Sequence, residues 1–322
     1  MATAWTARAF GLELVGDFEA PGLPPTPTAA GRPHTQLRLV DAGAFAAAWD
    51  PAGAERVNEW RYPDGRAFFT IDHHPALGYR IAARRYGRFI VSAGGDEVLC
   101  APYKVSAWSW QRLLIARVLP IAATLRGIEV LHSSAVRIGD GAVAISGPSG
   151  LGKSSLAMQL YYRHGAAFLT DDLLGLEAPE GGVVAHPGFA IVSLRPAERE
   201  LLSREEKARL GAVVSRGNKT HFALEREPGP LPLRAMFFLE PGEVGAPTIE
   251  RMEEPDPLLL LASTFVLMVR TPERLRRQLD VCAAIADDVP LYRLRIAPSL
   301  NARATAEIVH EHIRALDHAK AA

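Results

Sequence analysis

Two cysteines in 322 residues, Cys100 and Cys282, are too few and too far apart for a disulfide framework or a cysteine-ligated metal cluster. They point to a reduced, cytoplasmic chain. Net charge is missing as well. Lys plus Arg and Asp plus Glu number 36 each, which excludes bulk electrostatic attraction to nucleic acid and leaves only a local basic patch compatible. No apolar run is long enough for a membrane span. The longest, near Leu113–Leu125 and Leu258–Val269, are too short or too interrupted. Residues Met1–Arg8 lack the apolar stretch of a signal peptide, so none is expected. There is no internal repeat and no low-complexity tail. What remains is an ordinary globular composition, 48% hydrophobic and 22% charged, long enough for one large or two ordinary domains.

The most specific signal lies at residues 141–155. An apolar run, Ala142 to Ile145, predicts a buried strand. Gly147-Pro148-Ser149-Gly150-Leu151-Gly152-Lys153-Ser154 follows, and Ser155 opens a helical stretch. This is G-x-x-x-x-G-K-[ST] in its required strand–loop–helix context. Glycines admit backbone angles that a Cβ forbids, and they let N–H groups crowd toward an anion. The helix start adds unpaired N–H groups and the positive end of its dipole. Residues Gly147 through Ser155 are thus expected to cradle a nucleoside triphosphate. Lys153 would reach the β- and γ-phosphates, and the Ser154 hydroxyl would ligate Mg²⁺.

The chain ahead of this loop reads as a small, mostly-β module. A short strand is expected around Phe10–Val15, a Pro/Gly/Thr-rich loop at 20–35, and strands at Gln36–Val40, Ala67–Ile71, Gly78–Ala82 and Gly87–Ser92, with Asp64-Gly65 as a hairpin turn. His73-His74 suggests a metal site only superficially, because neighbouring strand residues face opposite ways; a surface pair is the expectation. Residues 106–126 have helical periodicity, with Ser106 as cap, Gly127 as stop and a kink at Pro120. Trp108 and Trp110 on it are expected to pack. The division is therefore 1–105 for the β-rich module, 106–127 for a linking helix and 128–322 for the loop-bearing domain.

Beyond 128, a hairpin formed by 129–138 and the loop strand is expected. A helix then runs to Tyr162 or Arg163, ending at His164-Gly165, and a strand follows at Ala167–Thr170 that ends in Asp171-Asp172. Carboxylates at that strand end are placed to meet Mg²⁺ and a γ-phosphate. Further strands are predicted at Gly182–Ala185, Phe189–Leu194, Leu233–Leu239 and Val289–Ile296. Helices are predicted at 196–211, Pro257–Val269, from Thr271 onward with Leu275, Leu279, Val281, Cys282 and Ile285 inward, and at Asn301–Asp317. The basic stretch Ser215–Phe222, with Arg216, Lys219 and His221, either touches phosphate or substrate or is a solvated turn.

Leu131-His132-Ser133-Ser134-Ala135-Val136, the loop, and Leu169-Thr170-Asp171-Asp172 together resemble the HPr kinase/phosphorylase superfamily. That family carries a Leu-His-Gly/Ser strand, a Gly-x-Ser-Gly-x-Gly-Lys-Ser loop and an Asp-Asp strand end. The resemblance covers roughly 128–195 and continues weakly to about 300. It implies an α/β P-loop kinase core with a mixed twisted sheet. It also implies ATP and Mg²⁺ as cofactors, Asp172 as general base toward a substrate hydroxyl, and Asp171 beside it assisting the metal with Ser154. His132 would lie next to the loop and help fix the Asp pair or the γ-phosphate. The spacing from Lys153 to the Asp pair is about one residue longer than in the family. Residues 185–195 contain no counterpart of the family's metal-binding Glu, and the phosphorolysis loop is not recognisable. Dephosphorylation, and HPr as substrate, therefore fall outside what the resemblance implies.

The chain is more similar to diverged HPr-kinase-related proteins, such as the lasso-peptide kinases that phosphorylate a serine on a ribosomally made precursor peptide. The expected activity is phosphoryl transfer to a hydroxyl, with Ser or Thr of a peptide or small protein as acceptor. A free-metabolite kinase and a nucleotide-binding regulatory protein with little catalysis remain alternatives. HPr kinases are hexamers, so the resemblance allows a homo-oligomer.

Overall fold

A computed structural model of the chain describes residues 5–28, 33–243, 245–297 and 302–321, with side chains to residue 316. Asn301, the expected start of the last helix, lies outside the described residues, as do Met1–Ala4 and part of the 20–35 loop. The chain divides into two compact units. One comprises residues 1–130 and 266–276; the other comprises 131–265 and 277–322.

The first unit holds an eight-stranded mixed sheet in the order 5–9, 12–16, 34–39, 97–102, 87–91, 78–83, 67–74, 55–61. The single strand expected at Phe10–Val15 is instead a hairpin. Trp5–Ala9 and Leu12–Gly16 pair antiparallel, closed at Ala9 and Leu12, and the two-residue loop of Phe10 and Gly11 has φ of +52° and +78°. Such a loop needs left-handed angles at both positions, and Phe10 accepts this while fully buried. Sequence periodicity missed Glu55–Arg61, an edge strand with four charged residues among seven and no alternation of apolar groups. His73 and His74 end the strand Ala67–His74. They do face apart: His73 stacks on Tyr79, while His74 accepts the amides of Ala76 and Leu77.

The 106–126 helix belongs to this unit. Ser106 occupies the cap position, but its hydroxyl bonds Ser109 Oγ at 2.7 Å and not a backbone amide. Pro120 does not simply kink the helix. A π-turn over Leu114–Val118 separates Ala107–Leu113 from Leu119–Leu125. Widening the turn ahead of Pro120 accommodates a residue that lacks an N–H and crowds the carbonyl four positions back. Trp110 is buried against Phe18.

The second unit is mixed α/β. Ala167–Thr170, Gly141–Ser146, Leu231–Pro241 and Leu291–Ile296 run in one direction. Gly141–Ser146 is parallel to Leu231–Pro241, which is parallel to Leu291–Ile296. Ser133–Ile138 is antiparallel to both Gly141–Ser146 and Ala167–Thr170. The carboxyl ends of four strands and the amino end of one therefore meet at a single edge. Strand 141–146 is buried throughout and reads as the unbroken apolar run of a central parallel strand. Helix Lys153–Arg163 packs over it and against the last helix, Ala302–Ala321.

Several expected elements change shape for local reasons. The 129–138 run breaks at His132, whose amide donates to Ser263 O at 2.6 Å. The 196–211 stretch is two short helices, Pro196–Glu200 and Arg204–Ala208, because Ser203 and Glu206 form a capping box that restarts the chain. The helix expected over Pro257–Val269 stops at Ala262, where Thr264 turns to bridge Leu131, and the stretch is only partly buried: Leu260, Val266 and Val269 are inside, whereas Leu258 and Leu267 are 70% and 56% exposed. Thr271 does cap Pro272–Asp288, accepting from the Arg274 amide at 3.2 Å. Val281, Cys282 and Ile285 are buried, but Leu275 and Leu279 fall beside that stripe and are exposed. Ser215–Phe222 is the turn and flank of a hairpin, Ala212–Arg216 with Thr220–Ala223, in a three-stranded sheet whose third member is Ile191–Leu194.

Gly147 ends the central strand with φ of +137°, and a Cβ there would meet the Leu239 carbonyl oxygen at 2.8 Å. Gly147→Ala is expected to cost about 1–3 kcal/mol in urea denaturation, whereas a surface alanine such as Lys207→Ala stays within about 0.5 kcal/mol. An unchanged midpoint for Gly147→Ala would mean that this approach of two strands is not required.

Candidate active site

The loop after Gly141–Ser146 turns on three glycines with positive φ, Gly147, Gly150 and Gly152. Gly152 occupies the N-cap of helix Lys153–Arg163 in the left-handed region, and no side chain caps that end. The first amides of the helix thus open toward the loop, the arrangement an anion requires. Lys153 is only 5% exposed. Its Nζ donates to the carbonyls of Gly147 at 2.9 Å and Pro148 at 3.3 Å, so the ammonium lies across its own loop. Burial holds its pKa below the usual lysine value, opposed by the charges of Asp172 and Asp171.

Helix and strand meet through Ser154. Its hydroxyl donates to Asp171 Oδ1 at 2.6 Å, and Ser134 Oγ donates to the same oxygen at 3.1 Å. The Asp171 amide donates to Phe189 O at 3.1 Å, which fixes the strand end. Burial pushes the Asp171 carboxyl up to about 6, helped by the charge of Asp172 and opposed by the two serine hydroxyls. Asp172 differs in every respect. It is 59% exposed at its side chain and sits at φ +69°, a left-handed conformation that Asp tolerates at a cost of about 1–2 kcal/mol. The turn is braced by Thr170 Oγ1, which donates to Leu173 O at 2.6 Å. His132 Nε2 stands 3.5 Å from Asp172 Oδ1. His132 arrives there because it immediately precedes Ser133–Ile138, which runs against the loop strand and Ala167–Thr170.

Among the expected site residues, Gly147–Ser155, His132, Asp171 and Asp172 therefore share one edge. Arg216, Lys219 and His221 lie instead on and around the hairpin of the three-stranded sheet. Strand Ile191–Leu194 leaves from near Phe189, and its far end, Leu194, pairs with Thr220 beside the basic turn. At about 3.3 Å per residue this is roughly 10 Å beyond Ile191. His221 Nδ1 is engaged by Ser193 Oγ at 2.7 Å.

Sequence reasoning passed over Ser134, Ser146 and Ser263. Ser133 Oγ and Ser146 Oγ are 2.6 Å apart, and Ser146 Oγ lies 3.3 Å from Ser263 Oγ. The signal for Ser133 and Ser134 was two hydroxyls inside a buried apolar run. Ser263 carried none, being 117 residues from Ser146.

The donors present suit a hard cation. Asp171 and Ser154 offer only oxygen, and a buried carboxylate with a raised pKa is one that a cation would relieve. The described residues contain no group of three His, Cys, Asp or Glu able to hold a metal. An ion here would draw its remaining ligands from phosphate and water, as Mg²⁺ commonly does. Beside the loop, a cleft of about 270 Å³ is lined by Gly150, Gly152 and Ser155 of the loop and by Leu151, Leu239 and Ile296, so that polar and apolar surface share it.

A carboxyl raised from 3.8 to about 6 binds more protons folded than unfolded between those values, so its ionisation weakens the fold as pH rises through that window. Asp171→Asn removes this cost. Its stability relative to wild type should grow from about pH 4 to about pH 6 and then level off, in urea denaturations run to about pH 8. A difference independent of pH would mean that Asp171 titrates normally.

No family model and no curated protein sequence matches the chain. Among solved structures it is similar to the HPr(Ser) kinase/phosphatase from Coxiella burnetii, at 12% sequence identity and a TM-score of 0.32, over 60% of this chain and 99% of that one. At that level of likeness no residue role passes from one protein to the other. Among the described residues, no helix is long and apolar enough to cross a membrane.

Proposed function

We propose that the chain is an ATP- and Mg²⁺-dependent kinase that transfers the γ-phosphoryl group to a hydroxyl, most plausibly of Ser or Thr in a peptide or small protein. The observation that carries this reading is the joining of two carboxylates of opposite character to an open phosphate loop. Asp171 is partly buried, tied to Ser154 and raised in pKa; Asp172 is exposed, set by a strained turn and faced by His132. A module that only binds nucleotide needs the loop but has no use for an exposed, positioned base.

The roles follow from placement. The amides of Gly150–Ser155 and the Lys153 ammonium would hold the β- and γ-phosphates, Lys153 exchanging its loop carbonyls for phosphate oxygens. The cleft at Leu151, Leu239 and Ile296 would take the base. Bound Mg²⁺, held through Asp171 and Ser154, would neutralise charge on the phosphates. Asp172 would orient the acceptor hydroxyl and take its proton as the oxygen bonds to the γ-phosphorus. The bond from that phosphorus to the β–γ bridging oxygen breaks, and ADP leaves. His132 would steady the Asp172 carboxylate.

Two substitutions separate binding from chemistry. Lys153→Ala should weaken ATP binding by about 1.5–3 kcal/mol, roughly 10- to 150-fold in Kd. Asp172→Asn keeps a residue that tolerates the left-handed turn. It should leave ATP affinity nearly intact while lowering transfer by about 10²- to 10⁴-fold. The acceptor panel is HPr, free serine and any short peptide encoded beside the gene, read by mass spectrometry for one added phosphate. Transfer to free serine alone would replace the peptide acceptor with a metabolite. Tight ATP binding without transfer to any acceptor would favour a regulatory role. Loss of ATP binding in Asp172→Asn would mean that the base is misassigned.

A further inference from the structure

The chain passes between its two units three times, at 130/131, 265/266 and 276/277. On the side of the second unit these passages begin or end at Leu131, Phe265 and Arg277, and all three converge on one residue, Thr264. Thr264 forms an antiparallel bridge with Leu131. Its Oγ1 accepts from Gln278 Nε2 at 2.8 Å. It is flanked by the two residues that hold His132. Ser263 O accepts the His132 amide at 2.6 Å, and the Phe265 ring stands edge-on to the imidazole at 6.2 Å between centroids. Ser263 Oγ also lies 3.3 Å from Ser146 Oγ, and Ser146 is the last residue before the phosphate loop.

Thr264 and Gln278 are 6% and 7% exposed. A hydroxyl–amide bond in that setting is strongly directional, and losing one partner leaves the other buried without water to replace it. The segment 263–265 has no regular secondary structure of its own beyond the bridge. Backbone and hydroxyl bonds tie Ser263 and Thr264 to the helix turn before them, at Leu259, Leu260 and Leu261; beyond that turn the course is set by Leu131 on one side and by helix Pro272–Asp288, through Gln278, on the other. His132 in turn takes its place from Ser263 and Phe265.

We infer that the buried Thr264–Gln278 pair is a positioning device for His132. It fixes the 263–265 segment within the second unit, and that segment sets the imidazole opposite Asp172. Neither residue touches a reacting atom; both act through His132. The catalytic consequence rests on the kinase reading, but the effect on the imidazole does not.

Thr264→Val keeps shape and removes the hydroxyl, whereas Thr264→Ser restores it. Gln278→Met removes the amide from the other side and serves in place of Thr264→Val should that variant not fold. The primary readout is NMR of histidine-labelled protein, with His132 assigned through His132→Gln. Thr264→Val and Gln278→Met should shift the His132 ring resonances, while Thr264→Ser should leave them at their wild-type positions. With an acceptor in hand, kcat should fall by roughly 10- to 100-fold, the size expected from about 1 Å of displacement at a catalytic group, and KM for ATP should hold. Wild-type His132 resonances in a folded Thr264→Val or Gln278→Met protein would overturn the inference. Absence of phosphoryl transfer in the wild type would count against the kinase reading alone, because the NMR outcome still decides the positioning role.

Discussion

A hydroxyl at the start of one helix and a carboxylate at the end of one strand lie 2.6 Å apart, and the second unit is arranged around that contact. Ser154 can reach Asp171 only if the loop strand and the strand Ala167–Thr170 end at the same edge. They do so because the strand between them, Ser133–Ile138, runs the other way and pairs with both. That reversed strand contributes its amino end, which is where His132, Ser133 and Ser134 are found. A fully parallel arrangement would have put those three residues on the opposite edge. The chemistry of the site thus follows from the direction of one six-residue strand.

The two adjacent carboxylates illustrate how environment divides labour between like groups. Asp171 points into the structure, accepts two hydroxyls and resists ionisation. Asp172, one residue later, points out. The left-handed backbone at Asp172 makes this possible, since an extended residue there would continue the strand away from the loop. Strain of this kind persists only where surrounding bonds over-determine it. Here the bonds are those of Thr170 Oγ1 to Leu173 O, the Leu173 amide to Asp171 O and the Asp171 amide to Phe189 O.

What sequence made legible was what is local. The loop, its strand and its helix lie within about two dozen residues, and each position has a steric or hydrogen-bonding reason that needs no partner elsewhere. The Asp pair was legible because strand ends beside such loops are where carboxylates act. The environment of these groups was not legible. The bonds of Ser134 to Asp171 and of Ser146 to Ser263 span 37 and 117 residues. The Pro257–Val269 stretch is apolar enough to read as a buried helix, yet it unwinds after Ala262 because Ser263 and Thr264 find strand partners. Likewise Glu55–Arg61 hides its strand character, since an edge strand can carry exposed charges in place of an apolar alternation.

The same long-range bonds explain why His132 sits where the strand run breaks. Residues 129–138 have the composition of one continuous strand, and continuity would have aimed His132 according to strand alternation alone. The interruption replaces a ladder bond with one to Ser263 O and places the residue under the control of a segment from far along the chain. On the first unit's side of the same crossings, Glu129 and Arg274 form an ion pair that is almost completely buried. Removing either charge would take from the other its ion-pair partner in a medium of low dielectric, which costs more than the pair itself stabilises. Within the first unit the pair ties strand Glu129–Leu131 at its start to the helix that opens at Pro272. Within the second unit, the imidazole that faces Asp172 is the first side chain after Leu131, which is bridged to Thr264.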